Sequence, residues 1–228
     1  MTPDTGARRV RVWDLPTRIF HWALALTVVG SIVTAKIGGN AMAWHMRLGL
    51  LALALLAFRL LWGFVGGHWS RFASFAYPPR SVFAYLRGDP GPGGRFEVGH
   101  SPLGALSVFA LLALLAVQVA TGLVADDEVS TTGPLNRFVA SATALLATGW
   151  HKTWGQYLII ALVLLHVGAV VYYLRARGRN LTAAMWHGDK WLAPDVPASA
   201  DDTAQRALAL ALIVAALALS WWIARLGG

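Results

Sequence analysis

Gly149 to Leu174 reads GWHKTWGQYLIIALVLLHVGAVVYYL, an apolar run with a histidine near each end and long enough to cross a bilayer as one helix. His151 and His166 are fifteen residues apart. At about 1.5 Å per residue that separates the two imidazoles by about 22 Å along the axis and by about 60° around it. Both can therefore face one bundle interior, one near each membrane face. A histidine inside a membrane helix is costly without a partner, so two on one stripe point to two stacked sites whose other halves come from elsewhere in the chain.

The rest of the sequence offers four more runs of spanning length, at about 17–36, 43–65, 101–125 and 204–224, alongside 149–174. With 57% hydrophobic and 13% charged residues in 228, the chain reads as an integral membrane protein. Pro16 stands at the start of the first span, where a missing N–H costs nothing. Residues 66–99 are rich in Gly, Pro, Arg and aromatics and read as a loop with a surface helix at 79–87. Asp126, Asp127 and Glu128 close the third span, and 135–148 reads as a short helix on the outer surface. Cysteine is absent, which excludes disulfides, thiolate-held clusters and the covalent attachment of c-type haem. The net charge of +8 comes from short segments between apolar runs, a pattern of membrane topology rather than of nucleic-acid binding. Of the 19 Lys and Arg, 13 fall in the N-terminus, the loop after span two and the segment after span four. The N-terminus is therefore expected in the cytoplasm and the C-terminus outside. The first span, preceded by Arg8, Arg9 and Arg11, is expected to be kept as an anchor.

That topology assigns a depth to each histidine. His21 and His166 lie in the cytoplasmic halves of spans one and four. His45 and His151 enter spans two and four from the outer side. Two imidazoles facing each other across a bundle hold haem iron with both axial positions filled, an arrangement for electron transfer rather than oxygen binding. Any one of these histidines could equally cap a helix or bond a nearby carbonyl; four at two matched depths favour paired sites. The predicted fold is thus an all-α membrane protein, a four-helix transmembrane bundle holding two haems plus a fifth C-terminal transmembrane helix. Its division is expected at residues 1–190 and 191–228. Arg59 and Arg18 are candidate propionate partners at the cytoplasmic site, Arg47 and Lys152 at the outer one. Snorkelling to the headgroups is the alternative for these cations. His68, His100 and His187 read as loop or interfacial residues, with His100 near the cytoplasmic site. Gly49, Gly104, Gly122 and Gly155 would admit a flat ring or simply close helix packing.

Four stretches are also familiar as sequence: VRVWDLPTRIFHW at 10–22, WHMRLGLLALALLAFRLLWGFVG at 44–66, GHSPLGALSV at 99–108, and TGL with the later TGPL. Over about residues 8–190 the chain resembles the bacterial cytochrome b561 family, which includes the b-type cytochrome subunit of nickel–iron hydrogenases and superoxide oxidase. The resemblance implies two non-covalent b-type haems with bis-histidine ligation by His21, His45, His151 and His166. It also implies residence in the bacterial inner membrane and electron transfer between the quinone pool and a redox partner such as a c-type cytochrome, a dehydrogenase or a hydrogenase subunit. Whether the chain is an enzyme in its own right stays open. The fifth span is a departure from the four-helix core. Two alternatives remain. One is a superoxide oxidase-type enzyme steering its anion past Arg47, Arg137 and Lys152, against which the acidic run at 126–128 counts. The other is a non-haem metal carrier, which would need more carboxylates at depth.

Overall fold

The computed structural model describes residues 6–89, 91, 96 and 98–227. Parts of the expected N-terminal arm (1–5) and loop (90, 92–95, 97) lie outside the described residues. Among those described, five helices are long and apolar enough to cross a membrane. They are α1 (Leu15–Ile37), α2 (Met42–Val65, preceded by a short 3-10 turn), α4 (Pro102–Val124), α5 and α6 together (Ser141–Trp150 and Gln156–Ala176), and α8 (Thr203–Arg225). Two shorter helices are α3 (Pro79–Leu86), where the loop reading placed a surface helix, and α7 (Leu181–His187).

Four spans begin and end within two residues of expectation, and the fourth does not. Helix starts at Ser141 and continues into the span, instead of forming a separate surface helix over 135–148. It is also interrupted by a π-helical turn at His151–Gly155. At about 1.5 Å per residue, the 36 residues from Ser141 to Ala176 exceed a hydrocarbon core of about 30 Å, so this helix projects from the bilayer.

The chain divides into two compact units, each assembled from separate stretches. One comprises Met1–Ile19, Leu60–Phe109 and His166–Leu210; the other Phe20–Arg59, Ala110–Leu165 and Ala211–Gly228.

The first unit holds the only strands among the described residues. β1 (Arg8–Arg11) pairs antiparallel with β2 (Asp189–Leu192), Arg8 opposite Leu192 and Arg11 opposite Asp189. Gly188, at φ 90°, makes the turn into β2; a Cβ there would stand 2.6 Å from the Trp13 carbonyl. Arg11 bonds Asp189 and Asp201, and Ser199 bonds the main chain of Arg11 and Val12. Residues 191–202 are thus packed on the N-terminal segment and are no open linker, and the expected boundary at 190 falls inside β2. Val12, Trp13, Trp69, Val98 and Ala184 form the core beneath.

The same unit buries Asp14 completely at the N-terminus of α1. One carboxyl oxygen accepts from the Thr17 N–H (2.8 Å) and the Trp62 indole (3.1 Å), the other from the Gly67 N–H (3.2 Å) and the Ser70 hydroxyl. Asp14 is therefore both helix cap and the acceptor that joins the start of α1 to residues 62–70.

In the second unit, the loop after α4 returns to that helix and satisfies its C-terminal carbonyls, as a helix end requires. Gly133 N–H donates to Ala125, Leu135 N–H to Leu123 and the Asn136 amide to Val124. α8 is tied down at two points, Ser220 to the Leu50 carbonyl (2.7 Å) and Arg137 to the Leu226 carbonyl (3.3 Å).

Candidate functional site: a paired-imidazole cavity

The second unit encloses a cavity of about 410 Å³, within the range of small-ligand and cofactor sites. His45, in the first turns of α2, and His151, which opens the π turn, both line it. Their ring centroids are 5.9 Å apart with the planes at 87°. Two metal–imidazole bonds of about 2 Å, added to the distances from nitrogen to ring centre, come to about this separation.

Each ring is aimed by a main-chain carbonyl of another helix. His45 Nδ1 lies 2.9 Å from the Ser31 carbonyl on α1, and His151 Nδ1 lies 2.9 Å from the Gln118 carbonyl on α4. A carbonyl only accepts, so each Nδ1 carries the proton and each Nε2 keeps its lone pair. That is the tautomer an imidazole needs to ligate a metal. Gly122 makes room for one of the rings, since a Cβ there would lie 2.9 Å from His151 Cε1. Gly49 lines the cavity with nothing within 4 Å of its Cβ position, leaving an open wall for a flat group. Gly104 faces Ser101 and Gly155 faces Gln118, so those two serve packing.

The cations divide differently from expectation. Lys152 lines the cavity and so does Lys36, which sequence reasoning used only for topology. Lys36 lies at the last turn of α1 and donates to the Gln156 side-chain oxygen at 3.0 Å. Arg47 is not among the lining residues: it is exposed and stacks on Trp44, its guanidinium carbon 4.9 Å from the ring centre. Two positions beyond His45, it points to a different side of the helix. Asp127 also lines the cavity. The N–H groups of Thr131, Ser130 and Val129 all point at its carboxylate, which pulls its pKa down to about 2.

The remaining site residues are seen in their own surroundings. His21, half-buried on α1 in the second unit, meets the Trp22 ring edge-on. Arg59 is 3% exposed in the same unit, deep inside protein. His166 is half-buried on α6 in the first unit. Arg18, also there, donates to the Trp186 carbonyl at 2.6 Å. His100 packs between Trp13 and Phe75, His68 against Trp69, and His187 ends α7 at the surface.

The described residues contain no group of three or more His, Cys, Asp or Glu able to hold a bare metal ion. Two imidazoles alone leave such an ion short of ligands, whereas a porphyrin brings its own equatorial nitrogens. The donor set, the protonated Nδ1 atoms and the open glycine wall all fit haem iron.

A multi-pass helical membrane protein with a facing pair of metal-ready imidazoles belongs to the class of membrane cytochromes. The prokaryotic cytochrome b561 family matches residues 12–188, and the chain belongs to that family. A probable Ni/Fe-hydrogenase B-type cytochrome subunit from Bradyrhizobium diazoefficiens is 22% identical over 220 residues, covering 81% of this chain and 87% of that one. No solved structure matches.

Proposed function

We propose that this protein is a di-haem b-type cytochrome of the bacterial inner membrane that carries electrons between a redox partner and the quinone pool. Membership of the cytochrome b561 family supports membrane electron transfer with haem b. The observation that carries the haem reading is the His45–His151 pair, with perpendicular rings 5.9 Å apart and both Nδ1 atoms engaged by carbonyls. Haem b held there would supply a one-electron ferric–ferrous couple.

The chain's own part is to present Nε2 from two helices, to exclude water with apolar walls and to set charge at the rim with Lys36 and Lys152. A second haem between His21 and His166 rests on their matched depth in the sequence, and Arg59 and Arg18 are its proposed propionate partners. The name of the Bradyrhizobium relative favours a hydrogenase subunit over a c-type cytochrome as the redox partner. The excess of Lys and Arg in alternate connecting segments favours a cytoplasmic N-terminus and a periplasmic C-terminus. A superoxide oxidase-type activity draws support from Lys36 and Lys152 at the cavity, but the ionised Asp127 on the same wall opposes entry of an anion.

The test is a pyridine haemochrome count on purified protein, with His45→Ala and His151→Ala beside it. Two haems are expected per chain, and each substitution should remove the same one. A count of zero or one, or loss of one haem by His21→Ala together with His151→Ala, would overturn the pairing.

A further inference from the structure

We propose that Gln118 is the positioning residue of His151, fixing its main chain and its ring together so that the imidazole plane stands perpendicular to that of His45. The inference rests on the haem reading above and adds a determinant of that site's electronic structure. Gln118 holds His151 twice. Its side-chain Nε2 donates to the His151 carbonyl at 2.9 Å, and its own carbonyl accepts from His151 Nδ1 at 2.9 Å. Thr121 Oγ1 donates to the same Gln118 carbonyl at 3.0 Å, steadying the acceptor.

The first bond is made at the π turn. A π turn carries an extra residue and widens the i→i−4 ladder, which leaves the His151 carbonyl open to an outside donor. The amide is held for this purpose against its own interest. Its Oε1 is buried with no hydrogen-bond partner among the described residues. Gly155 is the condition for its fit: a Cβ at 155 would stand 2.0 Å from Gln118 Oε1. Residues 118 and 122 of one helix and 151 and 155 of the other thus interlock through an amide, two glycines and an imidazole.

The consequence is electronic. An imidazole free to turn about its bond to iron would settle at an intermediate angle, but the tethered ring is held at 87° to its partner. With haem iron held between them, perpendicular imidazole planes would keep two iron dπ orbitals nearly degenerate and would give a strongly anisotropic low-spin ferric EPR signal. The Nδ1 bond to the Gln118 carbonyl also raises the basicity of the ligand and favours the ferric state. A looser tether should raise the midpoint potential.

Three variants test this by EPR, redox titration and haem content: Gln118→Met, which keeps length but removes the donor; Gly155→Ala; and the double variant Gln118→Ala with Gly155→Ala. The signal that belongs to this site is the one lost in His45→Ala. Gln118→Met should keep both haems, reduce the anisotropy of that signal and raise the potential of that haem alone. Gly155→Ala should act in the same direction by pushing on Oε1. In the Gln118→Ala background most of that effect should vanish, because the amide is gone and the Trp150 indole nitrogen, 3.0 Å from the Cβ position, is the nearest neighbour left. Should Gln118→Met fail to accumulate, Gly155→Ala alone and in the double variant decides by the same signal. Haem retained with unchanged EPR and potential in the single variants, or fully additive effects in the double one, would overturn the role of Gln118. Absence of haem from the wild type would overturn the haem reading and this inference with it.

Discussion

Asp14→Ala should destabilise the first unit by about 2 to 4 kcal/mol, a figure that follows from the fate of each donor. Loss of the cap on α1, the bond to the Thr17 N–H, costs about 1 kcal/mol. Three other buried donors lose their acceptor, and a stranded buried donor costs about 1 to 3 kcal/mol. They are not equally stranded. The Trp62 indole already lies 3.2 Å from Thr17 Oγ1, and the Ser70 hydroxyl lies 2.7 Å from the same oxygen, so both have an alternative. Only the Gly67 N–H has none in this cluster, and relief from burying a carboxyl offsets part of the loss. Asp14→Asn keeps one acceptor oxygen but turns an NH₂ toward Gly67 or Trp62, and should cost about 1 to 2 kcal/mol. The assay is unfolding in mixed dodecyl maltoside–SDS micelles followed by tryptophan fluorescence, since Trp62 and Trp69 report on this cluster. A loss below about 1 kcal/mol for Asp14→Ala would refute the reasoning, because it would mean that the donors find water or other acceptors.

Arg59→Leu should lower the midpoint potential of the haem proposed between His21 and His166, because removing a buried cation favours the more positive ferric iron; potentiometric titration with both haems unmoved would detach Arg59 from that site. For Asp127 the folded pKa is depressed to about 2, so the stabilisation it gives is present above its unfolded value of about 3.9 and is lost as pH falls through about 2. Amide exchange at 129–131 should therefore stay slow relative to Asp127→Asn at pH 5, with the two converging only near the lower value. Equal exchange at pH 5 would show that the three N–H groups are held by something else.

What was legible in the sequence was depth. His45 and His151 could be placed at one level from span boundaries alone, and the structure brings their rings together. What aims them was not legible, because the acceptors are the main-chain carbonyls of Ser31 and Gln118, and a carbonyl is present at every residue. The setting of the π turn was hidden for a related reason: Gly155, which ends it, packs on Gln118, thirty-seven positions away in the chain. Arg47 and Lys36 show the difference between neighbours in sequence and neighbours in space. Arg47 follows His45 by two and faces away, while Lys36 reaches the cavity from another helix. Helical periodicity could have excluded Arg47; only tertiary structure could recruit Lys36. The capping role of Asp14 was missed, although Asp-Leu-Pro before an apolar run is a signal that could have found it; its other donors come from residues 62–70. β1 and β2 lie some 180 residues apart and are four residues each, too short for a pattern to announce a partner.

Where the polar groups of the spans send their hydrogen bonds separates packing from site. In hydrocarbon each such group must be satisfied within the protein. Thr27, Thr34 and Thr153 each donate to the carbonyl four residues back on their own helix, so each is accounted for without reference to any neighbour. His45, His151 and Gln118 do the opposite and bond to other helices, and all three line the cavity. In the second unit the Ser220 hydroxyl crosses from α8 to the Leu50 carbonyl, and Leu50 is itself a cavity-lining residue five positions beyond His45. The fifth helix, which a four-helix core does not require, is therefore fastened to the segment that carries one of the two imidazoles.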